Sequence, residues 1–171
     1  MPVLDTTGLI DDPWQTLADD APIPTDTSVL LSWERVIADG GAALDGHAPR
    51  GVIVSSDVDA AKLLPFLSRL GLIAVRPANF KDGRAFSVGR LLRQRYGFNG
   101  DLRVLGDFIP DQIPFYVRCG FTSFDVTPAF DVDAALRLLS VFPFNYQTGV
   151  ADRNITALRH GRPEHLSAQR P

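Results

Sequence analysis

Short apolar runs with little polar alternation, each followed by a stretch of helical spacing, recur through the middle of the chain. Gly51-Val-Ile-Val-Ser55, Leu72-Ile-Ala-Val-Arg76, Leu102-Arg-Val-Leu105 and Phe121 to Val126 read as strands. The segments between and after them read as helices: Asp57 to about Leu70, Arg84 to Tyr96, a helix with Pro110 in its first turn that ends at Cys119-Gly120, and Asp131 to Phe142. A strand that is apolar on both sides needs cover on both faces, which parallel sheets flanked by helices provide. Asp57, Asp82 and Asp107 follow successive strands at intervals of 25 residues, with Asp131 24 further on, so one βα unit repeats about every 25 residues. The expected fold is α/β: a parallel sheet of about four βα units, either a TIM-like half-barrel or an open flavodoxin-like sheet. A half-barrel leaves two edges bare, to be covered by the N-terminal segment or by a second copy in a homodimer.

Residues 1–27 are rich in Asp, Pro and Thr and read as a flexible arm. Residues 28–147 form the single α/β domain, opening with the apolar run Val29 to Leu31 and a short helical stretch closed by Gly40-Gly41. Pro65 and Pro114 fall inside helical windows and are expected to kink or shorten them. Residues 148–171 carry Arg153, Arg159, His160, Arg162, His165 and Arg170 with few large apolar groups, and read as a flexible, solvated tail.

A net charge of −3 argues against a broad grip on nucleic acid or anionic lipid. No run of about 18 apolar residues is present, so no membrane span is expected. The acidic opening Met1 to Trp14 does not resemble a secretory leader, and a cytoplasmic setting is expected. Cys119 is the single cysteine, so there is no internal disulfide, and zinc-ligand spacing is absent.

Parallel α/β folds place ligands beyond the carboxyl ends of their strands. That rim should present Ser55, Ser56, Asp57, Arg76, Asp82, Arg84, Gly106, Asp107, Asp111, Gln112, Asp125 and Thr127. Oxygen ligands from successive strand ends could meet around magnesium, which makes Asp57, Asp82 and Asp107 metal candidates; helix capping is the competing role for each. Arg84 opens a helix with Lys81 just before it, and a cation there opposes the helix dipole. Either Asp82 neutralises it, or Arg84 holds a phosphate, sulfate or carboxylate with Lys81, Ser87, Asp111, Gln112 and Arg118 as further anion-binding candidates. Asp82, Asp107 and Cys119 are the catalytic candidates. For Cys119 the plainer role is a small buried hydrophobe beside a helix-ending glycine. Arg90, Arg93 and Arg95 fall near the end of the same helix as Arg84, where cations are favoured, and read as a solvated face. His47, His160 and His165 all fall in loop or tail, and neither a dinucleotide-binding nor a P-loop glycine pattern appears. No cofactor is therefore identified.

The stretch Phe80-Lys-Asp-Gly-Arg-Ala-Phe-Ser-Val-Gly-Arg-Leu-Leu-Arg93, followed by Gly106-Asp107 with Asp111-Gln112, then Arg118-Cys-Gly-Phe121, resembles a bacterial family of unknown function labelled as oxidoreductases involved in sulfite reduction. Its pattern runs F-x-D-G-R-x-(Y/F)-S-x-x-R-x-L-R, then G-D-x-x-x-D-Q and R-C-G-F. Phe142 to Gln147 is similar to the family's closing segment, so the likeness covers residues 50–148. The chain departs from that pattern at Arg76-Pro77-Ala-Asn and at Pro114. The resemblance implies an association with sirohaem-dependent sulfite reductase in assimilatory sulfate reduction. The leading expectation is an accessory protein that binds a small anionic ligand or the sulfite reductase. The rivals are a small (βα) enzyme acting on an anionic metabolite, and a flavin- or nicotinamide-using reductase in line with the family label.

Overall fold

The computed structural model describes residues 2–141. Among these residues eight strands form one sheet, in the spatial order β2-β1-β8-β7-β6-β5-β4-β3. The strands are β1 Val3–Leu4, β2 Leu9–Ile10, β3 Gln15–Thr16, β4 Val29–Ser32, β5 Arg50–Ser55, β6 Leu70–Arg76, β7 Asp101–Val104 and β8 Ser123–Asp125. From β3 to β8 every neighbouring pair is parallel, and β1 and β2 pair antiparallel beyond β8. The helices are α1 Trp33–Ala38, α2 Arg84–Arg90, α3 Ile113–Arg118 and α4 Val132–Val141. α2 runs on as a π-helical stretch, Leu91–Arg95. Strands β4 to β8 lie side by side in chain order, so right-handed crossovers carry every connection to the same face. That is a βα half-barrel, not the doubly wound open sheet, whose order reverses. It contains five units rather than four, because β4 and α1 supply one of their own.

Strand alternation divides the apolar residues between two faces. Val29, Leu31, Val52, Val54, Ile73, Val75, Leu102, Val104 and Phe124 face the helices and pack with Val36, Leu63, Val88, Leu92, Ile113, Tyr116 and Ala135 in the main core. Leu30, Leu72, Ala74 and Leu105 face the other way and pack with Trp14 and Ile53.

The first 27 residues, read from the sequence as a flexible arm, supply strands at both edges of the sheet. β3 pairs with β4, β1 pairs with β8, and the stretch between crosses the face that lacks helices. Arginines bind the first 27 residues down on both sides of β3. Arg35 donates to the carbonyls of Ala18 and Ala21 at 2.9 and 2.7 Å. Arg50 donates to those of Pro24 and Thr27, each at 2.9 Å. Arg103, 3% exposed, donates to Ser123 at 3.0 Å and Asp12 at 2.8 Å and lies 3.4 Å from Asp101.

The helix expected after β5 is instead the 3-10 segment Ala60–Arg69, capped by Asp59 rather than Asp57. Pro65 inside it has no N–H to donate and its ring crowds the preceding turn, so α-helical spacing fails there. Pro114 causes no such break, because the chain turns through a 3-10 segment, Pro110–Gln112, and Pro114 falls in the first turn of α3. The expected tail, 148–171, and the segment Phe142 to Gln147 lie outside the described residues.

Candidate functional site

The loops after β5, β6 and β7 meet at the carboxyl rim, and Asp82 joins the first two. One oxygen, Oδ1, accepts from the Arg84 backbone N–H at 3.2 Å and from Arg84 Nε at 2.8 Å. The other, Oδ2, accepts from Arg84 Nη2 at 3.0 Å, from the Ala78 N–H at 3.1 Å, and from the Ser56 hydroxyl. The Asp82 side chain is 6% exposed and that of Arg84 58%, so a sheltered carboxylate steers a cation that faces solvent. The Arg84 guanidinium, then Ser56 and the Ala78 amide, hold the Asp82 carboxyl well below the usual carboxylate range. Asp82 in turn raises the guanidinium pKa of Arg84.

A second link joins the two motif loops. Gln112 donates from Nε2 to the Phe80 carbonyl at 2.6 Å, and its Oε1 accepts from the Ile109 N–H at 3.3 Å. The segment around Asp82 and the segment ending in Gln112 are thus bolted together. Phe80 and Ile109 remain 46% and 45% exposed beside this link. Lys81 is exposed, its Nζ 5.4 Å from the centre of the Phe80 ring.

The remaining candidates divide by position. Ser87 and Asp111 are exposed, on α2 and in the 3-10 turn before α3. Asp57 accepts the Ser55 hydroxyl, which lowers its pKa. Asp107 lines a depression above β7 and β8, together with Phe80, Ile109, Asp125 and Thr127. Asp82 turns back onto Ser56 at the end of β5 while Asp107 sits over β7 and β8. Among the described residues no group of three or more His, Cys, Asp or Glu is arranged to hold a metal. Asp57 lies near enough to Asp82 and Arg84 to feel their charges, whereas Asp107 lines the depression above β7 and β8.

Arg118 and Cys119 are at the far end of the sheet. α3 runs back from the carboxyl rim, so its last residues arrive just before β8 begins. Burial pushes the Cys119 thiol pKa up, against the opposing pull of Arg90 and Arg118, and a thiolate is disfavoured there.

Arg93, read as part of a solvated face, is half-buried instead. It donates to the carbonyls of Gly120, Phe98 and Gly100 at 2.8, 2.6 and 2.7 Å. The signal that was missed is positional: Arg93 lies next to the buried Leu92 in the π-helical stretch, which shifts the helix face by a fraction of a turn. Arg90 keeps the solvated role, donating to Gln94 at 2.8 Å.

Residues 51–156 match the model of a family described as bacterial protein of unknown function (DUF934). No curated protein and no solved structure matches the chain.

Proposed function

The chain belongs to the DUF934 family of bacterial proteins of unknown function, and on that premise we propose that it is an accessory protein of assimilatory sulfite reduction that docks on the sulfite reductase through its carboxyl rim. The sulfite-reduction part rests on the resemblance of the Phe80–Arg93, Gly106–Gln112 and Arg118–Phe121 motifs to a family carrying that label. The docking part rests on one observation: the motif side chains brace one another. Asp82 is saturated by Ser56, Ala78 and Arg84, and Gln112 is committed to Phe80 and Ile109. What faces outward is an apolar pair, Phe80 and Ile109, flanked by Lys81 and Arg84. Aromatic and arginine side chains on a rigid base are what a binding patch needs, since little ordering entropy is lost on association. Arg84 keeps its outer edge open to an anionic group, either a carboxylate on the partner or a small oxyanion, while Asp82 fixes its direction.

The test is co-purification of the full chain with the sulfite reductase at low salt, followed by titration of Phe80→Ala and Arg84→Ala. Weakening of about tenfold or more by each is expected, since a well-placed anchor contributes on the order of 1.4 kcal/mol or more. Absence of any complex, or unchanged affinity in both variants, would overturn the reading.

A further inference from the structure

A broad groove of about 1000 Å³ lies at the amino end of the half-barrel, over the starts of β7 and β8. Val117 and Phe121 line it from the side of α3, and Asp5, Arg93 and Asp101 are its charged lining residues. All three charged groups are engaged within the fold. Arg93 serves the carbonyls of Gly120, Phe98 and Gly100. Asp101 accepts the hydroxyls of Thr122 and Ser123, and Asp5 accepts the backbone N–H groups of Thr7 and Gly8. What the groove has to offer is its apolar wall.

The occupant is indicated by where α4 ends. That helix starts just past β8 at the carboxyl rim, packs along α3 and sets Leu136 and Leu139 against the main core. It therefore runs back to the amino end, as α3 does, and stops at Val141, an apolar residue 55% exposed. Packed helices lie roughly 10 Å apart, a span that about three extended residues cover. The chain continues as Phe142-Pro-Phe-Asn-Tyr-Gln147. Pro143 has no N–H and disfavours helical backbone at the residue before it, so an extended continuation is expected. Side chains alternate along extended chain, which sets Phe142, Phe144 and Tyr146 on one side. Each ring has roughly 150–250 Å² to bury. The family match also runs past the end of α4, to residue 156, so this segment belongs to the shared domain.

We propose that residues 142–147 fold back into this groove, laying the rings of Phe144 and Tyr146 against Val117 and Phe121. So short a tether gives the segment a high effective concentration at the groove, which favours it over a second copy or a separate partner. The groove is at the opposite end of the sheet from the Asp82–Arg84 pair, and the inference stands whether or not the rim docks on sulfite reductase.

The test measures nuclear Overhauser contacts in the full chain between the ring protons of Phe144 and Tyr146 and the methyl groups of Val117. They should appear in a uniformly labelled sample and be absent between differently labelled copies in a mixed one. Phe144→Ala should move the amide shifts of residues 99–101 and 117–122, leave those of 82–84 in place, and lower the melting temperature by about 3 °C or more. Contacts found only between differently labelled copies would put a second copy in the groove. No contact with Val117, or amide shifts confined to residues 142–156, would leave the groove to some other partner. Each of these results overturns the proposal. Should Phe144→Ala fail to fold, the contacts in the natural chain decide alone.

Discussion

Asp82 grips Arg84 through two parallel hydrogen bonds, Nε to Oδ1 at 2.8 Å and Nη2 to Oδ2 at 3.0 Å, across a single intervening glycine. So short a loop fixes the guanidinium more firmly than a distant partner would, and it does so with a carboxylate that three other groups also hold. Asp82 is accordingly the more structural member of the pair. Asp82→Ala should lower the melting temperature more than Arg84→Ala does, because it strips partners from Ser56 and Ala78 as well. Thermal unfolding followed by circular dichroism checks the order.

The depressed pKa of Asp82 gives that contribution a pH signature. An unfolded aspartate titrates near pH 4, whereas the folded carboxyl stays ionised to lower pH. Its stabilising effect is present above about pH 4 and is lost as the pH falls further. The difference in melting temperature between the natural chain and Asp82→Asn should be level from about pH 7 to pH 5 and shrink below about pH 4. A difference that widens on acidification would contradict the assignment.

Arg93 closes the loop between the helix of Arg84 and β7 by serving three carbonyls at once. Arg93→Ala should destabilise the chain by roughly 2–3 kcal/mol, the scale expected when half-buried acceptors lose a charged donor. Arg93→Lys should recover little of it, since one ammonium lacks the planar fork that reaches all three. Denaturant titration distinguishes the two variants.

At Gly89 two effects compete. Alanine in a helix is favoured over glycine by about 1 kcal/mol. A Cβ there, however, would stand 2.3 Å from Phe121 Cε2, and that ring is buried edge-on against Tyr116 at 5.2 Å. The ring has no room to move, so overpacking of about 1–3 kcal/mol should win and Gly89→Ala should destabilise.

Cys119 should alkylate slowly at pH 7, because burial keeps its thiol protonated. Cys119→Ser is expected to leave binding to the sulfite reductase unchanged. Rapid modification by iodoacetamide in the folded chain would show the thiol to be more acidic than its surroundings imply.

The repeating units were legible because burial on both faces leaves a strong mark: β5 to β8 each overlap one of the apolar runs, β5, β6 and β7 starting one or two residues earlier, and α2 begins at Arg84 as expected. What decides between a half-barrel and an open sheet is spatial order, and no local pattern records it. The arm was opaque for a different reason. Its residues are polar and proline-rich, and what fastens them sits far away in sequence, on Arg35, Arg50 and Arg103. Arg103 was hidden further by its place inside a strand that otherwise reads as apolar. At the rim, residue types marked Asp82 and Arg84 as neighbours, but loop direction separates Asp107 from them. The depression above β7 and β8 could be approached from sequence through the expectation that Gly106, Asp107, Asp125 and Thr127 reach the rim; Phe80 and Ile109 line it from loops whose path is set by packing.

The strands at either margin of the half-barrel also settle how such a fold could grow. Joining two copies end to end into one closed barrel would require the margin of β4 to meet the margin of β8, and both are already taken, by β3 and β1. A tandem duplicate of this chain would first have to shed or re-route its opening segment, and with it the cover over Leu72, Ala74 and Leu105. As it stands, the architecture is finished at half the circumference.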